Sequence, residues 1–261
     1  DIDVVVLATP HNQHAEQVLT ALERGKHIFC EKPLCLTAAE LAQIEDAYKQ
    51  AANSHLMVGF NRRFAPLAVK MQEFVASVKE PLLIHYRVNG GYIPLDHWTQ
   101  DPAVGGGRLI GEVCHFVDFL TFLTQSKPTS VFAQSLPNNG RYADDNLVLV
   151  ITYEDGSVGS ITYAANGDKS LGKERAEVFG GGQTAVLEDF RHLTLVSNGK
   201  KTTHKLRLRQ DKGHNGEWQA FAEALRQGKP TPISITDIIK TTKVTLSALE
   251  SLKTGGPVQL N

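Results

Sequence analysis

The amino-acid sequence predicts an α/β and α+β chain: a partial, doubly wound parallel sheet, then a domain built on a large, mainly antiparallel sheet. Three observations carry this reading. Residues 1–60 alternate strand-like and helix-like segments. From residue 82 onward the texture turns to short strands, with Asp155-Gly156 between Leu147–Tyr153 and Val158–Tyr163 as a strong hairpin signal. A single helical stretch interrupts those strands, and two more close the chain.

Val4-Val5-Val6-Leu7-Ala8 is a continuous apolar run, read as a strand buried on both faces as in a parallel sheet. Asn12 is the expected cap of a helix with Ala15, Val18, Leu19 and Leu22 on its apolar face and Gly25 at its end. His27–Cys30 reads as a short strand followed by the loop Glu31-Lys32-Pro33. The next helix carries a capping box, Thr37 with Glu40, and a staple of Leu36 on Leu41; its inner face is Leu41, Ile44, Ala47 or Tyr48, and Ala51. A strand over His55–Phe60 completes a β-α-β-α-β order, which implies parallel strands and right-handed crossovers.

Residues 64–78 read as a connecting helix. Strands are expected at 82–89, 129–135, 146–153, 157–165, 174–179, 183–189 and 193–208, with a helix near 112–124 whose inner face is Val113, Phe116, Val117 and Leu120. Of the two closing helices, one holds Trp218, Phe221, Ala222 and Leu225 and stops at Gly228; the other spans about 236–253.

Lys plus Arg total 27 against 28 Asp plus Glu, so no basic excess marks a nucleic-acid or anionic-membrane partner. No apolar run approaches the length of a membrane span. Three cysteines, Cys30, Cys35 and Cys114, are too few and odd in number for a disulfide framework, and their apolar neighbours suggest reduced thiols in a cytoplasmic protein.

Three segments can carry chemistry. The loop Thr9-Pro10-His11-Asn12-Gln13-His14 follows the first strand, where a doubly wound sheet binds ligands beyond its carboxyl edge. Helix capping and a turn proline explain the same residues equally well. His11 and His14 do not amount to a metal site, since no further Cys/His spacing supports one. Glu31-Lys32-Pro33 lies at the same edge: a lysine in an apolar stretch could serve as a general base, with Glu31 orienting it. After Gly105-Gly106-Gly107, His115 shares a helix face with Glu112 and with Asp118; it could relay a hydroxyl proton or be a core histidine capped by a carboxylate.

These segments, in this order, resemble the Gfo/Idh/MocA oxidoreductases, and the resemblance covers essentially the whole chain. It implies a Rossmann domain whose C-terminal half is residues 1–62, and a substrate and oligomerisation domain over 63–261 whose last helix packs back on the first domain. Thr9, Pro10, Asn12, His14, Glu31 and Lys32 would then bind NAD or NADP. Lys32 and His115 would be catalytic. Gly59-Phe60-Asn61-Arg62-Arg63-Phe64 is similar to the family's turn into its second domain. Arg63, Trp98, Glu112 and His115 would meet a sugar or cyclitol substrate, with Tyr86 and His97 as further wall candidates. The implied activity is hydride transfer between the nicotinamide and a secondary alcohol or ketone, in a dimer or tetramer paired through the large sheet.

Two departures accompany the resemblance. Many members carry Asp or Asn four residues before the histidine; here that position is Gly111, with Glu112 beside it. Members also open with a strand and a Gly-x-Gly-x-x-Gly phosphate loop, whereas the only such spacing here, Gly180-Gly181-Gly182-Gln183-Thr184-Ala185, leads into a strand-like run and reads as a hairpin turn. Together with a start at Asp1 beside a strand, this yields the expectation of a chain lacking the first half of its Rossmann domain and binding nicotinamide weakly. A catalytically idle sugar-sensing module on the same fold is the alternative.

Overall fold

The computed structural model describes residues 2–51, 53–206 and 209–260. Strand β1 (Val4–Leu7), helix α1 (His14–Glu23), β2 (His27–Cys30), α2 (Ala38–Gln50) and β3 (Leu56–Val58) form a three-stranded parallel sheet in the order β1-β2-β3. The chain then runs through a 3-10 turn at Asn61–Phe64 and α3 (Pro66–Val75) into a nine-stranded sheet. Its members are β4 (Leu83–Asn89), β5 (Pro128–Ser135), β6 (Asn146–Tyr153), β7 (Val158–Ala164), β8 (Glu174–Gly180), β9 (Gln183–Glu188), β10 (His192–Ser197), β11 (Lys200–Lys205) and β12 (Val258–Gln259). The order is β11-β10-β9-β8-β4-β7-β6-β5-β12, antiparallel except where β4 lies parallel to β7. Helix α4 (Cys114–Thr124) interrupts the strands, and α5 (His214–Gln227) and α6 (Ile235–Thr254) follow β11.

Local chemistry explains most boundaries. The capping box forms as the sequence predicts: Glu40 N–H donates to Thr37 Oγ1 at 3.2 Å, and the Glu40 carboxylate accepts from Thr37 N–H at 2.9 Å. Gly228, at φ 60°, ends α5 in the left-handed conformation. Gly181-Gly182 turns the chain between β8 and β9, so the glycine run there is a hairpin turn.

Three expectations need correction. Asn12 caps no helix: residues His11–Gln13 form a 3-10 turn and α1 begins at His14, so the polar side chain that should cap falls one residue before the N-cap position, which is Gln13. β1 is not buried on both faces, because it is the edge strand; Val6 is 52% exposed. The single strand expected over 193–208 is a hairpin, β10 and β11, turned at Asn198-Gly199, both of positive φ. Arg207 and Leu208, the last residues of that expected strand, lie outside the described residues.

Two apolar clusters hold the molecule together. One surrounds the small sheet, with Ile28, Phe29, Leu56 and Val58 against Val18, Ile44, Phe221 and Ile238. The other fills the space between one face of the large sheet and α3, α4 and α6. Helix α4 is buried along nearly its whole length, and α6 contributes Ile238 to the first cluster and Val244 and Ala248 to the second. These two helices therefore clamp the carboxyl edge of the small sheet onto the flank of the large one. Among the described residues no helix is long and apolar enough to cross a membrane.

Candidate active site

Lys32 leaves the carboxyl end of β2 half-buried, and its Nζ donates a 2.8 Å hydrogen bond to the carbonyl of Gly111. Gly111 belongs to a wide π-helical turn, Leu109–Val113, that runs straight into α4. His115 is the second residue of α4, so the amine rests on a carbonyl one turn upstream of the imidazole. Lys32, from the end of β2, and His115, from the first turn of α4, are thus close enough for the Lys32 charge to act on the imidazole.

His115 is 7% exposed, and its Nδ1 is buried without a protein partner. Burial, reinforced by the positive charges of Arg62, Lys32, His214 and Lys173, pushes its pKa well below the usual imidazole value. The ring is neutral at physiological pH and has hydrogen-bonding capacity that the protein leaves unused. Neither carboxylate foreseen as its cap bonds to it. Asp118 pairs with Arg63, through Nε at 3.0 Å and Nη2 at 2.5 Å. Glu112 accepts from Lys173 Nζ at 2.7 Å, Arg108 Nη2 at 2.7 Å and Tyr163 OH at 2.5 Å. Burial opposes ionisation of Glu112, but the Lys173 and Arg108 charges override it and hold the carboxyl down at about 2.

These placements sort the expected substrate residues. Arg63 is buried in its ion pair with Asp118 and packs over Phe122, so its Nε and Nη2 are committed to that carboxylate. Glu112 is saturated by three partners and acts as an anchor for Lys173. Tyr86 lies in the core, 1% exposed, donating to Glu174 at 2.8 Å. Trp98 and His97 stay at the rim: Trp98 is 43% exposed and packs edge-on against His11 with ring centroids 4.9 Å apart. Glu31 does not orient Lys32. Its carboxylate lies over Gly59, where a Cβ would stand 3.2 Å from Oε2.

The loop after β1 borders the same space. Thr9 Oγ1 donates to Gln17 Oε1 at 2.8 Å, and exposed Asn12 gives its backbone N–H to Val104 O at 3.1 Å. The buried His14 ring bridges two loops, with Nδ1 2.7 Å from Pro33 O and Nε2 3.0 Å from Thr9 O. Pro33 follows a cis peptide bond. His11 and His14 are thus committed to backbone carbonyls. Among the described residues no three metal-ligating side chains gather.

Sequence reasoning missed several members of the site. Arg62, beside the chosen Arg63, clasps Glu174 with Nε at 2.7 Å and Nη2 at 3.1 Å, and its charge reaches His115. Both arginines of this 3-10 turn are buried, on different carboxylates, and nothing in the sequence tells which of them acts on His115. Glu217 is 1% exposed with Oε2 unpartnered; burial first, then the Glu31 and Asp118 charges, pushes it up to about 8. Its signal was present: Glu217, Phe221 and Ala224 fall on one buried helical face.

Comparison with known proteins bears on the fold and the family. Residues 1–60 match the model of the oxidoreductase family with an NAD-binding Rossmann fold, and residues 77–186 match the Gfo/Idh/MocA C-terminal domain. The chain is 30% identical over 281 residues to scyllo-inositol 2-dehydrogenase (NAD(+)) of Bacillus subtilis, covering 100% of this chain and 78% of that protein. It is 26% identical to D-xylose 1-dehydrogenase (NADP(+)) 2 of Haloferax volcanii, covering 100% of this chain and 81% of that one. The solved structure of a levoglucosan dehydrogenase in complex with NADH and levoglucosan superposes with a TM-score of 0.87 at 23% identity, over 100% of this chain and 80% of that one. With both family models placed in order and a relative matched along the entire length, the chain belongs to the Gfo/Idh/MocA family of oxidoreductases.

Proposed function

We propose that the protein is an NAD- or NADP-dependent dehydrogenase acting on a secondary alcohol of a sugar or cyclitol, with Lys32 as proton acceptor and His115 as its partner. The observation that carries the reading is the Lys32 amine held on the Gly111 carbonyl beside an imidazole whose Nδ1 is buried and unpaired. A buried polar atom left without a partner is costly unless a ligand satisfies it, by about 1–3 kcal/mol. A substrate hydroxyl is the chemistry that fits. The inositol, xylose and levoglucosan dehydrogenases among the similar proteins support that substrate class.

The residues present also fit a nicotinamide. Thr9, Pro10, Asn12 and His14 edge the site from β1, and Glu31 and Lys32 from β2, with the Glu31 carboxylate packed on the bare Gly59. When bound, the nicotinamide supplies the hydride acceptor, or the donor in the reverse direction. The protein's own part is position and proton traffic. Lys32, with one N–H on Gly111 O, takes the hydroxyl proton as the C–H bond breaks. His115, held neutral, bonds the same oxygen and keeps it aligned; carbonyl reduction reverses both steps. Trp98 closes the rim.

In this reading residues 1–62 serve the cofactor and 63–261 the substrate. The three free, buried cysteines suit a reducing cytoplasm. The open face of the large sheet carries Leu83 paired with Phe179, and Val148, exposed at 58%, 41% and 43%, which suits a homodimer or tetramer. The test is turnover of the full chain on a panel of inositols, hexoses and pentoses with NAD(+) and NADP(+), followed at the reduced nicotinamide absorbance. Lys32→Ala should lower kcat on the order of 10²–10⁴-fold. Turnover unchanged in that variant would end the proposal.

A further inference from the structure

His11, in the first loop, has no role in the reading above, and its surroundings give it one. Its Nδ1 lies 2.7 Å from Gly105 O, and because a carbonyl only accepts, that nitrogen carries the proton. Position 111 is tightly packed: a Cβ there would stand 3.0 Å from His11 Cε1, 3.3 Å from His11 Nδ1 and 3.2 Å from Gly105 O, so the ring or the carbonyl would have to give. The imidazole is 8% exposed and is wedged against Trp98 on its other side. Asn12 N–H, next in the chain, bonds Val104 O at 3.1 Å, so two consecutive residues stitch the loop after β1 to the segment leading into the glycines.

We propose that His11 is a positioning residue for Lys32: its ring fills the space beside Gly111 and, through Gly105, holds in place the carbonyl on which the Lys32 amine rests. The chain of contacts is short. His11 donates to Gly105, His11 and Gly105 O both abut Gly111, and Gly111 O takes Lys32 Nζ at 2.8 Å. A lysine has four rotatable bonds, so a single carbonyl acceptor places its amine only as well as that carbonyl is itself fixed. Burial first, then the nearby Lys32 and His14 charges against the Gly105 bond, lower the His11 pKa to about 4, so the wedge stays uncharged beside the amine. The inference rests on the reading of Lys32 as proton acceptor.

The experiment compares the full-length wild type, His11→Ala, Gly111→Ala and Lys32→Ala by two readouts. The first is the steady-state split between kcat and the cofactor KM. The second, independent of turnover, is the rate at which acetic anhydride acetylates Lys32, followed by mass spectrometry. His11→Ala should lower kcat on the order of 10- to 100-fold, the effect of an ångström-scale misplacement. Its cofactor KM should not change, its Lys32 should acetylate faster, and free imidazole added to the assay should restore part of kcat. Gly111→Ala drives a methyl against the same ring, and should show the same pairing of lower kcat and faster labelling even if His11→Ala fails to fold. A His11→Ala enzyme with a raised cofactor KM but wild-type kcat and labelling would overturn the inference, and would make His11 a cofactor contact. Lys32→Ala separates the two failures. Turnover kept without Lys32 overturns the proton-acceptor reading; turnover lost there, with labelling unchanged in His11→Ala, overturns the His11 inference alone.

Discussion

Two buried carboxyls near the site behave oppositely, and their partners explain why. Glu174 is 2% exposed and accepts from Arg62, Tyr86 and, at 2.5 Å, Lys212 Nζ; burial opposes its ionisation, but the Arg62 and Lys212 charges hold it down at about 2. Glu174→Gln should leave Arg62 buried and half-paired and destabilise the fold by about 3–5 kcal/mol, readable as a lower denaturation midpoint. Glu217, equally buried, has no cation bonded to it, and its carboxyl is raised from 4.5 up to about 8. The folded state therefore holds a proton that the unfolded chain has already released between those values. Stability should fall as pH rises through that window, at most about 1.4 kcal/mol per unit, and Glu217→Gln should remove the slope in urea melts from pH 5 to 9. At this scale the sequence was legible for Lys32 and His115, which carry side-chain signatures. It marked Gly111 only as a departure and was silent on its carbonyl, because a backbone carbonyl that receives an amine leaves no mark on residue type.

At the scale of elements, the site depends on how closely the glycine run approaches its neighbours. A Cβ on Gly105 would stand 2.4 Å from Thr99 Cα and 2.6 Å from Trp98 O, so the turn holding Trp98 lies directly on bare backbone. Gly105→Ala should push that turn outward, costing about 1–3 kcal/mol of stability and raising the substrate KM more than the cofactor KM. The alternation of strand and helix over residues 1–60, the capping box of α2 and the hairpin at Asp155-Gly156 were all legible, since each is set by neighbours in sequence. The misreadings have a common physical source. A 3-10 turn before α1 moved the helix start past Asn12, and a π-helical turn before α4 set Glu112 off the regular helical spacing to His115. Both turns bond to segments far apart in the chain, Asn12 to Val104 and Gly111 to Lys32, which local sequence does not reveal. The Asn198-Gly199 turn was a local signal and could have been read.

For the whole molecule, α4 and α6 join two sheets of different design, and the opposite face of the larger sheet carries Leu83 against Phe179 in open register. On the proposed pairing through this face, Phe179→Lys should shift the protein toward monomers in sedimentation velocity while leaving the circular dichroism unchanged. Fold class was legible at this scale because strand and helix patterns are periodic; which face of the sheet meets solvent depends on the closing helices and becomes clear only when they are placed. The account as a whole depends on Lys32 and His115 acting on one oxygen, and a double-mutant cycle on kcat tests that directly. If they serve a single hydroxyl, the Lys32→Ala/His115→Ala double variant should be within about threefold of the slower single variant. Losses that multiply, as for two independent sites, would contradict the account.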